Sequence, residues 1–320
     1  MTTTAPATRD VYRRTLLDLA RRDPRIFCVD SDMGGLEDTF GAELPGQYVN
    51  VGIAEANLMG VCAGLAAAGL IPFANTMSGF ALWRAGEQLR SDIAANNLPV
   101  RVVVTHAGLS AGHYGPSHHA LDDLAVARTL PNLTLVAPAD AVETEHAVRA
   151  AVDHPGPVFI RLGRVATPAV HSRPYRFELG VAVELATGDD VAIIAAAPRP
   201  VGVALAARDE LARAGVAARV LNMHTVKPVD RAAVVRAARQ TAGIVTVEDH
   251  LTTGGLGGAV CEVVCAEQPC RVTRIGAAES YLDAVADEET LLAVAGITVE
   301  RVTEAARELL GHRARSVALR

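Results

Sequence analysis

Short runs of β-branched and aliphatic residues alternate with longer stretches in which apolar side chains recur every three or four positions. The helical period covers residues 9–22, 55–68, 80–96, 121–130 and 141–152; strand-like runs cover 26–30, 48–51, 71–75, 100–105, 133–137 and 158–161. These strands are apolar throughout, which predicts a mainly parallel sheet covered by helices on both faces. Between 165 and 190 the pattern breaks, with Pro168, Pro174 and Gly188-Asp189-Asp190 among scattered polar residues. It resumes with strands at 191–196, 218–222, 244–247 and 270–275 and helices at 203–214, 232–242 and 257–266. The prediction is an α/β chain of two three-layer α/β/α domains, 1–167 and a smaller 191–320, joined by a linker over 168–190.

Composition narrows the classes. Half of the 320 residues are hydrophobic, enough for a sizeable core, and the formal net charge is −6. No Lys/Arg cluster is laid out to follow a phosphate backbone, so nucleic-acid binding is not expected. Cys28, Cys62, Cys261, Cys265 and Cys270 form no CxxC pair and read as reduced core thiols. The first residues turn amphipathic at once, without a signal-peptide centre. The apolar run 58–74 holds Gly60, Gly64, Gly69 and Pro72 and reads as a buried helix entering a buried strand, not as a membrane span. The expectation is a soluble, cytoplasmic protein with no membrane contact.

Within that frame, one carboxylate is out of place. Glu55 lies in VNVGIAEAN followed by LMGVCAGLAAAGLIPF, with no cation beside it in the chain. An ionised Glu avoids such surroundings unless it is paired or has a task. Ligands of open α/β sheets collect at the carboxyl ends of strands. There the sequence places Glu55 before a helix, Thr105-His106 before the loop AGLSAGHYGPSHHALDDLA, and Arg161 at the end of VFIR. Glu55 could merely complement a helix dipole. His106, His113, His118 and His119 could be loop residues bonded to carbonyls; no tightly spaced acid or thiol joins them, so no metal site is assigned. The run Gly254-Gly255-Leu256-Gly257-Gly258 could cradle a phosphate, but without the full fingerprint tight packing is the reading adopted.

Taken together, VGIAEANLMGVCAGLAAAGLIPF, THAGLSAGHYGPSHHALDDLA, HTVKPVD and VTVEDHLTTGGLGGAV resemble the C-terminal half of transketolase and 1-deoxyxylulose-5-phosphate synthase. The resemblance runs from about residue 9 to beyond 258. It implies a pyrimidine-binding thiamine-diphosphate domain followed by a transketolase C-terminal domain. It also gives Glu55 a task, which is to hydrogen-bond the aminopyrimidine of thiamine diphosphate. A carboxyl enclosed by apolar groups can share a proton with that ring, whose exocyclic nitrogen can then take the thiazolium proton. By the same resemblance Phe80 and Met77 pack on the aminopyrimidine, Met77 replacing an aromatic; Ile53 and Asp32 lie near the cofactor. Glu55, His106 and His118 carry catalysis, His118 at the substrate's carbonyl end. Arg9, His106 and Arg161 bind the sugar phosphate. Leu36 and Tyr114 depart from the family, standing where a serine and a hydroxyl-reading aspartate are expected, which implies an altered substrate.

Family members hold the cofactor's diphosphate through Mg²⁺ and a GDG motif in their N-terminal half, and no GDG occurs here. The resemblance therefore implies a split enzyme acting on a small sugar. A separate N-terminal subunit would hold most of the Mg²⁺–diphosphate, in a heterotetramer of two plus two. Two other readings stay open: the β subunit of a 2-oxo-acid dehydrogenase, against which the GPSH loop speaks, and a non-catalytic assembly partner, against which the joint presence of Glu55, His106 and His118 speaks.

Overall fold

The computed structural model describes residues 6–171 and 175–318. Part of the interval read as linker, 172–174, and the outermost residues of both expected domains lie outside the described residues. The strands are β1 (Ile26–Asp30), β2 (Tyr48–Asn50), β3 (Ile71–Met77), β4 (Arg101–Thr105), β5 (Thr134–Val136), β6 (Val158–Arg161), β7 (Val183–Ala186), β8 (Val191–Ala195), β9 (Ala218–Asn222), β10 (Thr225–Lys227), β11 (Ile244–Leu251) and β12 (Val272–Ala277). The helices are α1 (Thr8–Ala20), α2 (Glu55–Ala67), α3 (Ser78–Trp83), α4 (Gly86–Gln88), α5 (Asp123–Thr129), α6 (Ala141–Val152), α7 (Pro198–Arg213), α8 (Arg231–Gln240), α9 (Leu256–Glu267), α10 (Glu288–Val294) and α11 (Val299–Ala318).

Two sheets result, ordered β10-β5-β6-β4-β3-β1-β2 and β12-β11-β8-β9-β7. Pairing is parallel except at β10–β5 and β7–β9. Both exceptions lie where the reading by periodicity was thinnest. The interval read as linker contains β7, an edge strand on β9. Strand β10 comes from the second half of the chain yet edges the first sheet, stitching the two units together.

The apolar strands are buried on both faces, as parallel strands between helix layers must be. Along β4, Val103 joins the cluster under α1 and α6 with Tyr12, Leu16 and Val148. Its neighbours Val102 and Val104 join the opposite cluster with Leu58, Met59 and Leu82. That second cluster continues through Leu221 and Val234 to Val260, so one apolar layer spans both halves. The run 58–74 is divided between α2 and β3. No helix among the described residues is long and apolar enough to cross a membrane.

Three local expectations change. The helix expected over 80–96 breaks into α3, α4 and a π-turn over Leu89–Ala94, because the backbone turns out of helical geometry at Ala85 (φ −129°, ψ 15°) just before Gly86. Helices α10 and α11 follow the last expected strand; Val302, Ala305, Ala306 and Leu309 give α11 a buried stripe at helical spacing. Cys28 and Cys62 are core residues, whereas Cys265 is exposed and Cys261 and Cys270 are partly so.

Candidate active site

The adjacent strands β6, β4, β3, β1 and β2 end on one rim of the first sheet, and each delivers a candidate side chain there. After β2 the chain turns through Gly52, whose φ of +71° is costly for any residue with a Cβ, and enters α2 at Glu55. Glu55 sits in the first turn, where the helix dipole favours a carboxylate, and is 5% exposed. Its Oε1 accepts a hydrogen bond from Arg84 Nη1 at 3.0 Å. The cation missing from the neighbouring sequence thus arrives 29 positions along, from the end of α3.

Phe80 lies in α3, directly after β3, with Met77 at the helix's N-cap. The Arg84 guanidinium carbon sits 3.8 Å from the Phe80 ring centroid. Phe80 also meets the His118 ring edge-on, with centroids 5.1 Å apart. Ile53, at the entry to the Glu55 turn, is 72% exposed. Asp32 follows β1 as an exposed residue with φ +64°, a backbone state that Asp tolerates better than most residues.

His106 follows β4 directly and also has positive φ, +59°. Thr105 Oγ1 lies 2.9 Å from its Nδ1. Burial first, then the positive charges of Arg164 and Arg9, lower its pKa from 6.5 to about 4, so the ring is neutral at physiological pH. His118 is held by Ser117 Oγ, 2.9 Å from Nδ1, and burial lowers its pKa as well. Tyr114 bridges these histidines, with ring centroids 4.9 Å from His118 and 6.1 Å from His106. At 46% exposure it faces outward from the loop.

The expected anion-binding set is where the structure differs most. Arg161 is 2% exposed, and its guanidinium donates to Asp123 Oδ2 (2.7 Å), Asp249 Oδ1 (2.6 Å) and the Asp249 carbonyl. Burial alone would lower its pKa, but the two carboxylates hold it above the ordinary arginine value. As the last residue of a buried strand it points into the protein with its donors occupied, so it leaves the substrate-facing set. Arg164 stands three residues on, past the strand end. Thr8 Oγ1 donates to the Gly163 carbonyl (3.1 Å) and accepts from Gly163 N–H (3.0 Å), which ties the start of α1 to the coil that carries Arg164. Arg164 Nη1 lies 3.4 Å from His113 Nδ1, and Arg13 Nη2 donates to the Gly34 carbonyl at 2.8 Å. The charges of Arg164, Arg9 and Arg13 all lower the pKa of His106. The sequence signal for Arg164 was its position in the coil after VFIR, next to the more conspicuous arginine of the strand itself. Leu36 is likewise a core residue, 2% exposed beside Tyr12 and Phe40, and Gly34 and Gly35 face Arg13 instead.

The glycine run at α9 closes on a carboxylate of its own chain. Glu248 accepts from Leu256 N–H (2.6 Å) and Gly257 N–H (2.9 Å), and a Cβ on Gly255 would stand 2.0 Å from Glu248 Oε2. That is packing, with two of the first-turn N–H groups already used. Among the described residues no group of three or more His, Cys, Asp or Glu side chains could hold a metal ion.

A two-domain parallel α/β chain with a buried acid, an aromatic face and a histidine loop on one rim has the form of a thiamine-diphosphate enzyme's pyrimidine half. Sequence profiles agree: residues 4–169 match the transketolase pyrimidine-binding domain and residues 180–302 the transketolase C-terminal domain. The chain is 37% identical over 303 residues to the 6-deoxy-6-sulfo-D-fructose transketolase subunit SqwH of Clostridium sp. (strain MSTE9), covering 94% of both chains. It is 41% identical over 274 residues to one of the subunits of the apulose-4-phosphate transketolase of Phocaeicola vulgatus, covering 84% of this chain and 87% of that one. A solved split-gene transketolase, described as an inactive beta4 tetramer, superposes with a TM-score of 0.89 at 41% identity over 95% of this chain and 98% of that one. The chain belongs to the transketolase family, in its split-subunit branch.

Proposed function

We propose that this chain is the C-terminal subunit of a thiamine-diphosphate-dependent transketolase that moves a two-carbon ketol unit from an anionic ketose to an aldehyde. The observation that carries the reading is a buried carboxylate at a helix start, Glu55, linked through the Arg84 guanidinium to the aromatic face of Phe80. The residues present fit the pyrimidine end of the cofactor: a planar group bearing N–H donors, the Arg84 guanidinium, already lies against Phe80 with a donor on Glu55. When bound, thiamine diphosphate supplies the carbanion chemistry that breaks and forms the carbon–carbon bond.

This chain's own residues do the rest. Glu55 would hold the pyrimidine ring nitrogen and is placed to share a proton with it, Phe80 and Met77 would pack on the ring, and Ile53 and Asp32 would border it. Neutral His106 can donate to or accept from a substrate oxygen without charging. His118, steadied by Ser117, faces the carbonyl end of the substrate. Arg9 and Arg164 bind the anionic end, two guanidinium forks suiting a phosphate or sulfonate. Tyr114 shapes the space where hydroxyls are read. The Mg²⁺–diphosphate is held by an N-terminal partner, and two copies of each chain form the active cytoplasmic heterotetramer.

The test is reconstitution: the chain is mixed with candidate N-terminal transketolase subunits, thiamine diphosphate and Mg²⁺, and glycolaldehyde transfer is measured. Activity only in a mixture supports the reading. Acylation of a lipoyl domain instead would identify a 2-oxo-acid dehydrogenase β subunit.

A further inference from the structure

Arg84 has no part in the mechanism above, yet it is the side chain most closely engaged with the two groups that define the cofactor site. It ends α3, and its backbone N–H donates to the Phe80 carbonyl at 3.0 Å, so its side chain folds back over the residue four positions earlier. There the guanidinium carbon lies 3.8 Å from the Phe80 centroid while Nη1 lies 3.0 Å from Glu55 Oε1. Glu55 is 6% exposed at its side chain and Arg84 is 50% exposed. The carboxylate is therefore fixed and the arginine has room to leave.

A guanidinium is flat, delocalised and edged with N–H donors, and it stacks on aromatic faces. An aminopyrimidine is also flat and stacks on aromatic faces, and it too must address Glu55 along its edge. Two such groups cannot share one aromatic face and one carboxylate oxygen. Resting on the thiamine reading of this site, we propose that Arg84 is a placeholder for the cofactor's pyrimidine. In the unassembled subunit it satisfies the buried carboxylate and covers Phe80; cofactor entry displaces it into solvent, which its half-exposed position permits. The contact then penalises pyrimidine binding to the free subunit, and Glu55 is never left buried without a partner.

The test uses the full chain alone and the free aminopyrimidine moiety of thiamine, as its hydroxymethyl alcohol, titrated by ligand-observed NMR. Arg84→Ala and Arg84→Gln should each bind it roughly tenfold more tightly than wild type, the size of one half-exposed ion pair plus one cation–π contact. Methylguanidinium should compete with the pyrimidine in Arg84→Ala, and Phe80→Ala should abolish pyrimidine binding in either background. A single cooperative melting transition in each would show that both Arg84 variants fold. Equal or weaker pyrimidine binding in the Arg84 variants would overturn the placeholder alone. Methylguanidinium binding to Arg84→Ala with no pyrimidine binding in any variant would overturn the thiamine reading as well.

Discussion

Arg161, the last residue of β6, donates to the carboxylate of Asp249 in β11 at 2.6 Å, so a buried ion pair joins the two sheets directly behind the active-site rim. Asp123 completes the group at 2.7 Å and also accepts from Ser78 Oγ at 2.6 Å, at the start of the helix that carries Phe80. Asp249 packs against the loop after His106 as well: a Cβ on Gly108 would stand 2.1 Å from Asp249 Oδ2. The second domain thereby braces two segments of the site.

Removing one member of this group should leave uncompensated buried charge. Arg161→Met is expected to destabilise the chain by about 3–5 kcal/mol, read by urea or thermal denaturation. If folded variant is recovered in the assembled enzyme, its effect should be the same for anionic and neutral substrates. A selective rise in KM for the anionic one would return Arg161 to the binding site.

Arg164→Ala should behave in the opposite way. Stability should change little, while KM for an anionic ketose rises by the loss of a charge-assisted contact, about 1.5–3 kcal/mol. Arg9→Ala should do the same. Steady-state kinetics against a substrate without an anionic group is the control, and it should be nearly indifferent to both changes.

Glu55→Gln in the reconstituted complex should lower turnover roughly a hundredfold or more, the range of a lost acid–base contribution, while the fold survives. Circular dichroism and kcat together check this. Near-normal turnover would reduce Glu55 to a helix-start residue.

His106 titrates in the direction opposite to a paired histidine. Its folded pKa lies near 4, below the ordinary 6.5, so the folded chain binds fewer protons than the unfolded chain in that window. The stability it contributes is full above about pH 6.5 and is lost as pH falls from there towards 4. NMR titration should show a neutral His106 ring at pH 6, and His106→Asn should flatten the decline in stability between pH 6.5 and 4.

The isolated chain should bind thiamine diphosphate weakly, with little response to Mg²⁺ in calorimetry, because its described residues gather no set of three metal-ligating side chains. Tight Mg²⁺-dependent binding by this chain alone would count against the need for an N-terminal partner.

The class of the fold could be read from the sequence, which also singled out Glu55. Strands buried on both faces are largely apolar, so the parallel sheets could be read from the apolar runs within VFIR and RVVVT. A carboxylate in an apolar run is costly enough to announce itself, and Glu55 did so. Only the tertiary structure decided which charges meet. Arg161 and Arg164 are three residues apart in one segment, yet one is sealed against Asp123 and Asp249 and the other reaches His113 in the histidine loop. Arg84 is 29 residues from Glu55 and adjacent to it in space. The short strands β7 and β10 were not legible either, since three or four residues carry too little periodicity, and their place comes from antiparallel partners elsewhere in the chain. Local pattern follows from the backbone's own repeat, whereas the pairing of long, flexible charged side chains depends on where distant elements bring them.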